Sequence, residues 1–401
     1  MNFYRINTRK AVDYLLMFLL ISISGNPFFS GEYILIGVFF YSFYIFIKRK
    51  NIIPRKFFYF FVLLVIITVL QSLKFSFFPI VTLLGIYIRV LTAYLVVRVI
   101  DFKFIDRYVK TLYAIAITSL IFYLISNIAP NVLTLLSFDT SSGESIYARQ
   151  SIFGLFTFVE QNIHRNSGSF WEPGAFGGYL VLAFIFNFFS HLKNKKKIGI
   201  VLIITILTTM STTAYLAIFL FSFFVYYKKI NNAIIKIIAV SVILLGGYYS
   251  FIKIDFLGEK ITKQVLVLNE DVNLENAGSA RFLSLLKDIE DFKGHEIIGR
   301  GFHSKTRYLY QIENQIRTVG LTDIIVKMGL PFFIIIMCML YYSLTSFLNF
   351  NYNNKKIFIV GSFLVIITLL MSQVYFNYPF FWSILFLNFV YTKKKRTINV
   401  I

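Results

Sequence analysis

The sequence predicts an all-α polytopic integral membrane protein of about twelve transmembrane helices. Three observations predict it. Of 401 residues, 57% are hydrophobic and 15% charged, whereas soluble domains run to about 45–50% apolar. The apolar residues collect into long runs separated by short basic segments. Two longer polar segments, 129–173 and 253–321, break that pattern, and residues 1–401 read as one membrane domain around them.

Taken in order, the spans fall near 11–24, 31–47, 57–73, 77–98, 109–128, 174–190, 198–210, 212–227, 233–252, 322–343, 357–374 and 379–391. Several are shorter than the roughly 20 residues that a perpendicular helix needs. The first begins basic (Arg5, Arg9, Lys10) and turns apolar, as a signal peptide does. Ser24-Gly25-Asn26-Pro27 is a poor small-residue cleavage site, so an uncleaved helix is expected. Charge orients the rest. With both termini in the cytoplasm, most of the 40 basic residues fall in short inner loops and tails. Lys48 to Lys56, Arg98 to Lys110, Lys193 to Lys197 and Lys393 to Arg396 are examples. Basic inner loops fix topology, and this explains the net charge of +21 without nucleic acid as a partner.

The single cysteine, Cys338, excludes an internal disulfide and a cysteine metal cluster. His164, His191, His295 and His303 lack metal-ligand spacing, so no metal or other cofactor is expected.

Both long loops are expected outside. In the first, the turn-rich 137–144 precedes an apolar piece, 152–159, too short to span and expected to be re-entrant or interfacial. In the second, Phe282, Leu285, Leu286, Ile289 and Phe292 recur with helical spacing. An amphipathic helix near 280–292, lying on the membrane or capping the bundle, follows.

Charges inside spans are expensive and either functional or paired. Arg89 lies mid-span, with a bundle-interior partner, a lipid phosphate or a structural ion pair as its open readings. For Lys327 the choice is between snorkelling to the interface and function. Arg165 and Arg281 sit beside glycine and serine near helix starts in different outer loops. Guanidinium groups recognise phosphate oxygens in a bidentate, planar way, and helix N-termini add N–H donors; the bland reading of each is a solvated loop arginine. Pro173 suits the first position of a helix. Glu172 before it either caps that helix, accepts a proton or holds an arginine. Gly177-Gly178 allows close approach of a helix or substrate. Ser211-Thr212-Thr213 is either a plain tight turn or the lining of a polar site. Glu313-Asn314 precedes the tenth span.

Four motifs stand in this order: Arg165-x-Ser167-Gly168-Ser169-Phe170-x-Glu172-Pro173-x-x-Phe176-Gly177; Ser211-Thr212-Thr213-Ala214-Tyr215; Gly278-Ser279-Ala280-Arg281-Phe282 with Ile297-Ile298-Gly299-Arg300-Gly301-Phe302; and Glu313-Asn314 ahead of Gly320 and Gly329. Each is short and degenerate. The ordered set resembles the O-antigen polymerases of the Wzy type, close to the O-antigen ligases. The resemblance implies a GT-C-like membrane glycosyltransferase that needs no metal or nucleotide sugar. Such an enzyme joins oligosaccharide repeat units carried on undecaprenyl diphosphate at the periplasmic face of the bacterial inner membrane, in lipopolysaccharide or related polysaccharide biosynthesis. Its partners would be those lipid-linked substrates, the bilayer and a chain-length regulator protein.

Carried over, Arg165 and Arg281 match the family's external arginines and would neutralise the leaving diphosphate. Glu172 matches the acidic residue of the Glu-Pro motif. Gly168, Ser211, Asn314 and Arg89 complete the expected substrate contacts. Where ligases carry a histidine-asparagine pair, this chain has Glu313-Asn314. That departure favours polymerase over ligase and leaves the base open among Glu172, Glu313 and His303. A flippase or other transporter of lipid-linked oligosaccharide is the reading from another class; Arg89 favours it, and the absence of a clear repeat counts against it.

Overall fold

The computed structural model describes residues 2–140, 149–159, 163–230, 232, 281–307, 317–351 and 356–391. Most of these are helical: α1 (Asn2–Gly25), α2 (Glu32–Lys48), α3 (Arg55–Lys74), α4 (Ile80–Ile100), α5 (Phe104–Ile128), α6 (Pro130–Leu136), α7 (Pro173–Phe189), α8 (Lys195–Thr208), α9 (Thr212–Lys229), α10 (Arg281–Phe292), α11 (Gly320–Asn351), α12 (Lys356–Leu370) and α13 (Pro379–Leu385). The stretch expected to span at 233–252 lies outside the described residues.

Three stretches among the described residues are long and apolar enough to cross a membrane: α3, Ile80–Ile128 (which holds α4 and α5) and Gly320–Phe350 of α11. α7 and α12 are apolar but shorter. The chain is therefore a helical, membrane-embedded protein; these helices do not by themselves show twelve crossings. Helix ends follow local chemistry. α2 and α3 each stop at a left-handed residue, Lys50 (φ 51°) and Ser76 (φ 48°). The next N–H then returns five residues, Asn51 to Phe46 (3.2 Å) and Phe77 to Ser72 (3.0 Å), and so satisfies helix-end carbonyls.

The chain forms two compact units. The first comprises Met1–Tyr215, Ile334–Lys355 and Tyr375–Ile401; the second comprises Leu216–Phe333 and Lys356–Val374. In the first unit an aromatic core joins α1, α5, α7 and α13. The Tyr108 hydroxyl donates to the Tyr179 carbonyl (2.7 Å), and the Tyr179 hydroxyl to the Ser24 carbonyl (3.0 Å). A side chain at Gly178 would collide with the Tyr375 hydroxyl. Glycine there is what lets Tyr375, stacked on Phe381 at 4.1 Å, sit against α7. Elsewhere in this unit, Asp13 of α1 receives Arg49 (2.8 Å) and faces Arg107 (4.0 Å), so one carboxylate offsets a half-buried and a buried cation.

The first long loop departs from the all-α expectation. β1 (Phe138–Asp139), β2 (Arg149–Ile152) and β3 (Phe156–Val159) form an antiparallel sheet in the order β1-β2-β3, with Ile152 opposite Phe156. The piece expected to be re-entrant or interfacial is this hairpin. Phe153 (φ 46°) and Gly154 (φ 71°) make its turn, and Ile152, Phe156 and Phe158 pack with Leu133. Phe156 and Phe158 share a face because strand side chains alternate.

In the second unit, α10 is helical where the spacing predicts it, but its buried face is polar. Ser284, Lys287, Asp288 and Asp291 are buried, whereas Ile289 is 47% exposed. α11 is broken at Gly329 (φ 76°, ψ 162°), two residues before Pro331. Proline has no N–H to offer Lys327 four residues back. The Lys327 carbonyl instead accepts from Gly301 N–H (3.0 Å), the Val326 carbonyl from Arg300 N–H (2.8 Å), and Leu330 N–H donates to Glu296 (2.7 Å). The glycine-rich strap 296–301 thus supplies the hydrogen bonds that the helix forfeits.

Candidate functional site

In the first unit the segment 163–172 is fastened at both ends. Asn166 is fully buried. Its side-chain nitrogen donates to Ser119 (3.2 Å) and Thr208 (2.9 Å), and its side-chain oxygen accepts from Gly168 N–H (2.9 Å). At the other end Trp171 N–H reaches the Gly25 carbonyl at the end of α1 (3.0 Å). Gly168 (φ 54°) is buried under the Phe176 ring, which a side chain there would displace. In the structure Gly168 makes a packing contact.

Arg165 points its Nε at the Thr209 carbonyl (3.3 Å) and its Nη2 at the Met210 carbonyl (3.2 Å). A cation on helix-end carbonyls is favoured by the helix dipole. Arg165 thereby braces the turn between α8 and α9 with part of its donor set. Ser211, in that turn, lies 3.4 Å from Ala214 N–H as the N-terminal cap of α9, which favours the tight-turn reading.

Glu172 occupies the position before α7 with extended backbone (φ −160°, ψ 159°), yet its side chain makes no cap bond. Its electrostatic neighbours are Arg149 and Tyr378. The Trp171 ring stacks on Tyr378 with centroids 4.7 Å apart and planes 27° apart. Burial pulls the Arg149 guanidinium below the usual arginine range, and Glu172 and then Tyr378 pull it back. From α4, Arg89 interacts with Glu32 and with the same Tyr378. Arg89, Arg149 and Glu172, all of the first unit, are thus electrostatic neighbours of Tyr378. Arg89, Arg149, Trp171, Glu172 and Tyr378 are all half-buried, so the group is reachable from outside the protein. No family model matches the chain. No curated protein matches it either.

The second unit holds a different charged group. Arg307 binds Asp288 (3.2 Å), Asp291 (3.4 Å) and Asp323 (2.7 Å). Arg317 binds Asp291 (2.7 Å) and Asp288 (3.7 Å), and Arg300 lies 3.8 Å from Asp291. Lys327 meets Asp323 at 2.6 Å one turn away. Lys327 is buried in this pair, so the snorkelling reading is replaced by a structural ion pair. Burial pushes the Asp288 carboxyl up, while Arg307, Thr322 and Arg317 draw it down. The network fastens α10 to the broken helix.

His303 accepts Lys305 N–H on Nδ1 (3.1 Å), so its neutral ring carries the proton on Nε2. Burial, then Lys305, lower its pKa from the ordinary value. Arg281 is the first residue of α10, with its side chain outside the described residues. Glu313 and Asn314 lie outside them altogether.

Sequence reasoning missed Arg149, Tyr378 and Asn166, as well as the aspartate network. Asp288 and Asp291, three apart on one helix face, were the available signal for the network. For Arg149 there was none, because the sheet brings it to Glu172.

Proposed function

We propose that this protein polymerises lipid-linked oligosaccharide repeat units at the outer face of a bacterial inner membrane. In this reading the chain crosses the membrane about twelve times, with both termini in the cytoplasm. The growing glycan leaves its undecaprenyl diphosphate and passes to a hydroxyl of the incoming unit. The observation that supports the reading is that Arg89, Arg149 and Glu172 are electrostatic neighbours of Tyr378. Cations beside a carboxylate suit a reaction in which one oxygen loses a proton while a phosphate gains charge. Arg165 and Arg281 are the further arginines proposed to offset charge on the leaving diphosphate.

Besides Arg89, a transporter of the same lipid-linked glycan is favoured by the helix broken at Gly329, since discontinuous helices form transporter sites. Deleting the gene and resolving surface glycans on a gel separates the readings. Single repeat units on the final acceptor indicate a lost polymerase. Long polymer retained on the carrier indicates a ligase, and loss of repeat units at the outer face a transporter. Arg165→Ala and Arg281→Ala each abolish chain extension at normal protein level, and lysine rescues poorly because it cannot make the bidentate contact. Normal polymer length in either variant would contradict the diphosphate-binding role.

A further inference from the structure

We infer that α6 and the β2–β3 hairpin form a platform seated in the lipid leaflet where α5 ends. Leu135, Leu136, Phe138, Phe153 and Leu155 would lie among the acyl chains. α5 belongs to a stretch long and apolar enough to cross a membrane. Its exposed residues Ile117, Ile121, Leu124 and Ile128 recur at helical spacing, which marks one continuous outward stripe. The stripe does not stop with α5. Ile128 is 81% exposed, and after the bend at Ala129 come the exposed Val132, Leu135 and Leu136 of α6, with Leu135 at 85%. On a helix these three occupy an arc of roughly 100°. The exposed Thr134 lies on the opposite side.

The hairpin carries the apolar surface further. Phe153 and Leu155 at its turn are exposed, and so is Phe138, which meets Phe153 edge-on at 5.0 Å. Phe153 holds φ 46°, a conformation unfavourable for a bulky side chain and ordinarily left to glycine or asparagine. An apolar ring stands at the tip in spite of that strain. No charged residue occurs from 111 to 138 or from 150 to 159.

The platform is built rigidly onto α5. Phe122 and Ile125 of α5 pack against the cluster of Leu133, Ile152, Phe156 and Phe158. The Ser137 hydroxyl donates to the Gln150 side chain (2.6 Å), and the Asn26 side chain to the Gly154 carbonyl (2.6 Å). Exposed apolar patches of this kind mark interaction surfaces. Continuity with the stripe of a membrane-spanning helix, and the lack of charge, assign this one to lipid. Thr157 N–H on the Gly168 carbonyl (2.7 Å) then holds the 163–172 loop at the membrane surface.

The test uses the full chain with Cys338→Ser in liposomes of phosphatidylethanolamine and phosphatidylglycerol. Nitroxide labels are placed on Leu135→Cys, Phe153→Cys and Thr134→Cys. Oxygen is expected to relax the labels at 135 and 153 more than a water-soluble nickel chelate does, and the order is expected to reverse at 134. Nickel access at both 135 and 153 overturns the inference. Spin–spin broadening at 135 that disappears on dilution with unlabelled protein also overturns it, because a second copy then covers the face. Wild-type protein gives an independent reading with a phospholipid bearing a diazirine in its acyl chain. Adducts are expected on peptides covering 130–138 and 150–159, and their absence from both overturns the inference.

Discussion

Two kinds of arginine meet at residue scale. Arg165 spends Nε and Nη2 on the carbonyls of Thr209 and Met210, whereas Arg149 keeps a buried Nε without a partner. The sequence context of Arg165, glycine and serine before a helix, marks it as special, and the structure gives that context a mechanical use. Arg149 sits in Ala148-Arg149-Gln150-Ser151, where no neighbour signals a role. Its meaning comes from a partner 23 positions away in sequence, Glu172, brought near by a hairpin. The aspartates behave in the opposite way, since each is already paired. Asp291 accepts from Arg317 at 2.7 Å and from Arg307 at 3.4 Å. Removing one partner of a buried ion pair costs about 3–5 kcal/mol, because the remaining charge is stranded. Asp291→Ala is therefore expected to lower thermal stability sharply, as read by unfolding in detergent, and an unchanged midpoint would show that the network adds nothing.

Among the elements, the helices were legible because apolar runs and their breaks follow physical rules that act within a few residues. The extent of α10 was legible too. Its inward face was not, because Asp288 and Asp291 are buried only through Arg300, Arg307 and Arg317, which lie later in the chain. The strand character of 149–159 went unread for a similar reason. Eight residues of apolar character suit a strand as well as an interfacial piece, and Phe156-Thr157-Phe158 with Gly154 in the turn was the period-two signal. The break in α11 is sensitive to a single added atom. A Cβ on Gly299 would lie 2.6 Å from Gly329 N, and Gly299 holds φ 75°. Gly299→Ala is expected to cost at least about 1–3 kcal/mol from the left-handed backbone alone, with clash added. Gly294→Ala, also at positive φ (73°) but in open space, is the control for backbone strain without the clash. Equal losses in thermal midpoint for the two variants would contradict the tight approach of strap and helix.

On the scale of the whole molecule, composition pointed to a membrane-embedded helical protein, because exposing so many apolar side chains to water is unfavourable. The count of crossings is less legible, since short helices such as α7 and α12 satisfy the apolar rule without the length rule. Function is the least legible of all, because it depends on where distant residues meet. The reading of this protein as a glycan polymerase stands on that meeting in the first unit. The deciding measurement is the product distribution of the purified full chain in nanodiscs supplied only with undecaprenyl-diphosphate-linked repeat units. A ladder of glycans lengthening by one unit, formed without metal or nucleotide sugar and lost in Arg165→Ala, is the expected result. Unchanged single units from folded wild-type protein would contradict it.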